Sequence, residues 1–170
     1  MHCSVCGRTH PQESIEIMFR LPDEAAALLE QKQEERVQAN EDLCAIDGER
    51  FFVRAVLPLP VVSRTRPYNI GIWVELDRTS LERVGVLWND PNQMSEPPFS
   101  VRISNEIPLT GGSCGTAATL HLTGPTTRPN VLVLPANVCL YEEQANGITT
   151  HRAGEYSEFA LSREGLGSES

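Results

Sequence analysis

Apolar and polar positions change their period several times along this chain, and each change marks an element. Ile15-Glu16-Ile17-Met18-Phe19 alternates briefly, as a short strand does. After Leu21-Pro22 the spacing becomes helical, with Ala25, Leu28, Leu29 and Val37 on one stripe and Gln31, Lys32, Glu34 and Glu35 opposite. This predicts a helix opened by Asp23, whose carboxylate can cap free N–H groups, and stopped near Asn40. From Asp42 the period is two. Phe51, Val53, Ala55 and Leu57 point one way, and Arg50, Phe52, Arg54 and Val56 the other, which predicts a strand with one wholly apolar face and one mixed face. Pro58 and Pro60 lack N–H donors and push the end of that strand toward an edge or bulge. A polar turn over 63–69 leads to Ile70, Ile72, Val74 and Leu76 alternating with Gly71, Trp73 and Glu75, so the two strands form an antiparallel hairpin.

Thr79 or Ser80 caps a second helix carrying Leu81, Val84 and Leu87-Trp88, and Asn89-Asp90-Pro91 closes it because the residue before proline resists helical geometry. Residues 91–99 read as loop, and 101–104, 116–122 and 131–134 as further strands separated by glycine and proline breaks. A helix follows over about 137–144, and Gly147-Ile148 restarts the chain toward a short last helix. The order of elements predicts an α+β fold: an antiparallel β-sheet with flanking helices on one side, in a single domain over 1–161. Residues 162–170, rich in Ser, Glu and Gly, read as a disordered tail.

Composition narrows the possible roles. The 170 residues are long enough for one real core, and 14 Lys and Arg against 23 Asp and Glu give a net charge of -9. Phosphate backbones are bound through clustered cations, so nucleic acid is not an expected partner. No apolar run approaches bilayer length and no secretory signal opens the chain, so the expected protein is cytoplasmic and needs no membrane. The acidic surface can keep the protein soluble or steer a basic protein partner, a basic toxin included. Five cysteines, an odd number without a framework spacing, fit reduced thiols better than disulfides.

The densest candidate chemistry is Cys3-Ser-Val-Cys6-Gly-Arg-Thr-His10. Two thiolates two residues apart can grip a tetrahedral Zn²⁺, and Gly7 lets the chain curl beneath it. A closed structural site asks for a fourth ligand, for which Cys44 is the candidate, and His2 can replace His10. Such a Cys₃His knuckle would pack residues 1–12 against the Cys44 region and supply folding energy. The competing reading makes Cys44 a small buried hydrophobe. Gly111-Gly112-Ser113-Cys114-Gly115 lacks the lysine of a phosphate loop and reads as a strand connection, and nothing cationic beside Cys114 lowers its pKa. Neither His121 nor His151 has a nucleophile or carboxylate at a motif-defined distance, and Trp73, Trp88 and Phe99 fit core positions.

Taken together, the Cys3/Cys6/His10 motif, the stretch Asp42-Leu-Cys44-Ala-Ile-Asp-Gly-Glu-Arg-Phe-Phe-Val-Arg54 and Gly71-Ile-Trp-Val74 resemble the bacterial family catalogued as domain of unknown function 2199. The likeness continues through Leu87-Trp-Asn-Asp-Pro91, Glu96-Pro-Pro-Phe99, Asn105-Glu-Ile-Pro108, Arg128-Pro129 and Glu143-Gln144-x-x-Gly147-Ile148. The resemblance implies that Cys44 joins the N-terminal motif, and it implies no activity. Where similar sequences carry His-Pro-Leu before the Glu-Gln stretch, this chain has Val138-Cys139-Leu140, so no site is expected to depend on that histidine. The expectation is a non-enzymatic domain with a structural zinc that binds a protein or a small ligand. An enzyme, hydrolase-like, with Trp73, Arg54, Glu106 and His121 converging on the mixed face of the sheet, is the alternative. An acidic immunity-type protein is a third class.

Overall fold

The computed structural model describes residues 15–167, with side chains to Leu161. The Cys3/Cys6/His10 segment, with His2, lies outside the described residues. The elements are α1 (Asp23–Glu30), β1 (Val37–Ala39), β2 (Leu43–Ile46), β3 (Arg50–Leu59), β4 (Tyr68–Leu76), α2 (Arg78–Leu87), β5 (Phe99–Ile103), β6 (Ala117–His121), β7 (Asn130–Val133), α3 (Val138–Asn146) and α4 (Thr150–Gly167).

The fold is α+β, but the sheet is not open. Strands β3 to β7 follow one another antiparallel, and β7 returns to β3 in parallel at Val56↔Asn130. A meander of five strands starts and ends in the same direction, so its closing pair must be parallel, and the expected all-antiparallel sheet becomes a mixed barrel. The apolar alternation set the inside correctly: Val53, Ala55, Ile72, Val74, Leu120 and Val131 are all fully enclosed. Each large aliphatic side chain buried this way contributes roughly 1.5–3 kcal/mol. Closure also displaces the expected helical layer. Tyr156 of α4 stacks on Tyr68 with centroids 5.8 Å apart, at the end of the hairpin where Leu59 faces Tyr68. α2 starts at the other end, where Arg78 lies 4.8 Å over the Phe51 ring.

Both long strands change partner along their outer edges. β3 pairs with β2 over 50–53 and meets β7 at Val56. β4 pairs with β5 at Val74 and Glu75, while lower down Met18 runs parallel to Gly71. Residues 15–21 therefore cover the mixed outer face, where Phe52 is buried and Trp73 is buried as expected of a core position. The Trp73 indole N–H donates to the Phe19 carbonyl at 3.0 Å.

Several expected boundaries and caps move, most of them for a local reason. The first helix ends at Glu30, not Asn40, because Lys32 takes a positive φ of 59° and the 31–36 run has nothing apolar to bury. Val37 belongs instead to β1. β2 and β3 form a hairpin across Asp47, Gly48 and Glu49, in which the Glu49 N–H donates to the Ile46 carbonyl and Asp47 and Gly48 both take positive φ (55° and 64°), as the centre of a type I′ turn does. The second helix is capped by Asp77, which accepts the Ser80 N–H at 2.7 Å, and not by Thr79 or Ser80. Asp23 likewise does not cap its own helix; its carboxylate accepts the Glu106 N–H at 2.7 Å and the Asn105 side-chain amide at 3.0 Å. The last helix has 18 residues, longer than expected.

Candidate functional site

Between the parting of β2 from β3 and the arrival of β7, the outer wall of the barrel carries an open cleft of about 810 Å³. Val56, Asn69 and Asn130 lie on its barrel wall, and Asp42, Trp88 and the segment Thr123 to Arg128 complete the lining. Register explains the floor. Val56 faces Gly71 and Asn130, Asn69 faces Pro58, and all project from the outer side of the strands because their neighbours point inward.

The loop that overhangs the cleft is built rigidly. Gly124 takes a φ of 127°, open to glycine, and the Thr123 and Thr127 hydroxyls sit 2.6 Å apart while Thr123 also donates to the Arg128 carbonyl. Gln93, only 4% exposed, anchors the loop from below: its Oε1 accepts the Gly124 N–H, and its amide nitrogen donates to the Leu87 and Trp88 carbonyls at the end of α2. At the far side the Pro129 carbonyl accepts the Val56 N–H at 2.8 Å.

Beside the cleft, Arg54 occupies the gap in the β3 edge. Its N–H donates to the Asp42 carbonyl, its Nη1 to the Glu41 carbonyl at 3.2 Å, and its guanidinium lies 6.0 Å from the Trp73 ring centroid. The side chain is 8% exposed, and its Nε has no hydrogen-bond partner. Burial, then the neighbouring Arg128, holds its pKa below the ordinary guanidinium value, with Asp42 and Glu41 acting in the opposite direction. Arg128 in turn lies 3.5 Å from Asp42.

The other residues singled out by sequence are engaged in architecture. Cys44 stands on β2 between Ala39 and Phe52, 3% exposed, and burial pushes its thiol up to about 11. No group of three or more His, Cys, Asp or Glu side chains among the described residues is arranged to hold a metal ion. Of the four residues imagined around an enzyme site, Arg54 and Trp73 meet, but the other two are held elsewhere. The Glu106 carboxylate accepts the Ser113 and Cys114 N–H groups at 2.9 and 3.1 Å, so the glycine-rich loop cradles the protein's own anion. His121 Nε2 sits 2.9 Å from the Thr119 hydroxyl. Glu75 pairs with Arg50, Asp77 caps α2, Asp90 accepts the Asn92 N–H, and His151 lies 3.5 Å from Glu155.

The motif residues are equally structural. Gln144 accepts the Val133 N–H and donates to the Val131 and Pro58 carbonyls, stitching β7 to β3 where the backbone pairs them at one position. Glu143 takes Arg152 and Tyr156, each at 2.6 Å, and so ties α3 to α4. The cleft itself escaped the sequence reading. Thr123-Gly-Pro-Thr-Thr-Arg128 announces a hydroxyl-rich loop, yet nothing local says that Asp42, Asn69 and Trp88 lie across from it.

The chain belongs to the family described as "Uncharacterized protein conserved in bacteria (DUF2199)", whose model matches residues 2–148. No curated protein and no solved structure matches it. No helix among the described residues is long and apolar enough to cross a membrane.

Proposed function

From a family membership that carries no activity, we propose that this protein is a binding domain that receives a small polar ligand in the cleft between the 123–128 loop and the β3–β4 wall. One observation carries the reading: a concave lining that combines an indole, two side-chain amides, threonine hydroxyls and an Arg–Asp pair, the mixture of one flat apolar surface and few orienting polar groups that ligand sites use. A library of small polar compounds screened by ¹⁵N-edited NMR tests it. Shifts clustered on Asn69, Trp88, Thr123 and Asn130 are expected; hits scattered over the surface, or none, overturn it.

The second part of the proposal is a structural zinc held by Cys3, Cys6 and His10, or His2, with Cys44 as fourth ligand. When bound, zinc would supply folding energy and leave no open position for a reacting water. A thiol such as that of Cys44, buried and small, suits a closed site, but its position sets a condition. Ile15 hangs at the Tyr68 end of the hairpin, where its carbonyl accepts the Tyr68 and Ser157 hydroxyls. Cys44 pairs with Phe52 near the other end, so seven residues of strand, roughly 23 Å, separate them. The five steps from His10 to Ile15 reach at most roughly 17 Å, so for His10 and Cys44 to share an ion that stretch would have to run nearly extended toward Cys44, with the two side chains closing the remainder. Elemental analysis of purified protein decides the matter. Near-stoichiometric zinc that falls away in both Cys6→Ser and Cys44→Ser is expected; no zinc overturns the site, and zinc retained in Cys44→Ser removes Cys44 from it.

A further inference from the structure

We propose that the gap between β2 and β7 on the edge of β3 is a binding site for a small oxyanion, held between the guanidinium groups of Arg54 and Arg128. The inference rests on the cleft reading and names the chemistry of its ligand. It starts from an imbalance. Arg54 is more than nine-tenths buried, yet its side-chain hydrogen bond goes to a neutral backbone carbonyl, its Nε has none, and no carboxylate among the described residues forms an ion pair with it. Taking a guanidinium out of water without a counter-charge costs several kcal/mol, and proteins leave such a group in place where something else supplies the charge. Here the Trp73 ring supplies a part of it, at the long end of cation–π range.

Two further arginines, Arg128 and Arg20, bear on Arg54 against Asp42 and Glu41, and Asp42 is already drawn to Arg128. The Arg128–Asp42 pair is a single 3.5 Å approach between side chains each 40% exposed, so a ligand can displace it at little cost. This concentration of cations sits in a protein of net charge -9, and general basicity does not explain it. Arg128 lines the cleft, Arg54 lies buried close enough to feel its charge, and guanidinium groups carry paired N–H donors that match the oxygens of a phosphate or a carboxylate. The Thr123–Thr127 hydroxyls and the Asn130 amide stand along the adjoining cleft to receive the rest of the molecule.

The test uses the full chain at low ionic strength, titrated with inorganic phosphate and separately with succinate, against sodium chloride of matched ionic strength. Saturable binding is read by calorimetry and by NMR shifts of the Arg54 and Arg128 side-chain N–H groups. At least a tenfold loss of affinity in Arg128→Gln and in Arg54→Lys is expected. Arg128 is accessible, so its variant reports even where Arg54→Lys is destabilised. Preference for phosphate assigns a phosphate-bearing ligand, preference for succinate a carboxylate, and both outcomes support the site. Neither anion binding more tightly than chloride to folded protein, or variants within twofold of wild type, overturns it. If neutral compounds still shift Trp88 and Asn69 while anions do not bind, the oxyanion site falls and the cleft reading stands. If anions bind while nothing moves Trp88 or Asn69, the cleft reading falls alone.

Discussion

Removal of the Asn105 side-chain amide should destabilise the protein more than its size suggests. Asn105 is fully buried and makes three bonds: its Oδ1 accepts the Trp73 N–H at 2.7 Å, and its Nδ2 donates to the Leu21 carbonyl at 2.9 Å and to Asp23 Oδ1 at 3.0 Å. It thereby fastens residues 15–23 to β4 at Trp73, where the edge of β4 opposite β3 has no strand pairing among the described residues. In Asn105→Ala each bond lost counts for about 1 kcal/mol, and the Trp73 N–H and Leu21 carbonyl left unpaired bring the total to about 3–5 kcal/mol. For a domain of this length that is a fall of roughly 10–15 °C in Tm. Urea unfolding should show it as a lower midpoint at unchanged slope.

Asn105→Asp separates this account from mere cavity formation. The introduced carboxyl keeps the volume and the acceptor for Trp73, but loses the donor and stands against the Asp23 carboxylate. Burial and like charge hold its folded pKa above the unfolded value, so the proton stabilises the fold: stability is retained below the ordinary carboxylate range and lost as pH rises through the raised value. The cost relative to wild type should therefore be smaller at pH 5 than at pH 8. A cost independent of pH, or a loss below about 1 kcal/mol in Asn105→Ala, would refute the reasoning.

Two glycines should respond with opposite signs. Gly147 has φ 88° and ψ 166°, and a Cβ there would meet the Pro60 carbonyl at 3.1 Å, so Gly147→Ala should cost about 2–3 kcal/mol in urea unfolding. Gly85 lies inside α2 with open space around it, and Gly85→Ala should add about 0.5–1 kcal/mol. In protein stripped of metal, Cys44 should resist a disulfide-exchange reagent that consumes the exposed Cys114, because its buried thiol is raised to about 11. The same shift favours the protonated fold, so stability is complete below the ordinary thiol range and falls as pH climbs through about 11; a Cys44→Ala variant lacking that alkaline loss is expected, and an identical profile in the variant counts against it.

What was legible in the sequence was local. The alternation of β3 and β4, the later strands and the helix after Asn137 follow from periods and turn residues that neighbours along the chain settle among themselves. β1 and β2 are three and four residues long, too short for a period to declare itself, and only Asp47-Gly48 marks the turn from β2 into β3. Val37 fell in step with a helical stripe by spacing alone, since the positive φ at Lys32 that breaks the helix has no compulsory residue type. Closure was out of reach altogether. It depends on Val56 meeting Asn130, a pairing that neither strand specifies.

That closure explains why the polar motif residues misled. A barrel joined by one parallel pair leaves backbone donors and acceptors along its seam that water or side chains must satisfy. Gln144 and the Pro129 carbonyl do so on the β7 side, and Asn105 serves the corresponding gap on β4. Amides and carboxylates that resemble a dispersed active site in one dimension are therefore consumed in holding the wall together. The test of a functional group in this fold is what remains after that accounting. Glu106, Glu143, Gln144 and Asn105 all end in protein partners, whereas Arg54 ends in a buried, unpartnered nitrogen beside a cleft. A ligand is the simplest partner for a charge the fold has enclosed without a direct ion pair among the described residues.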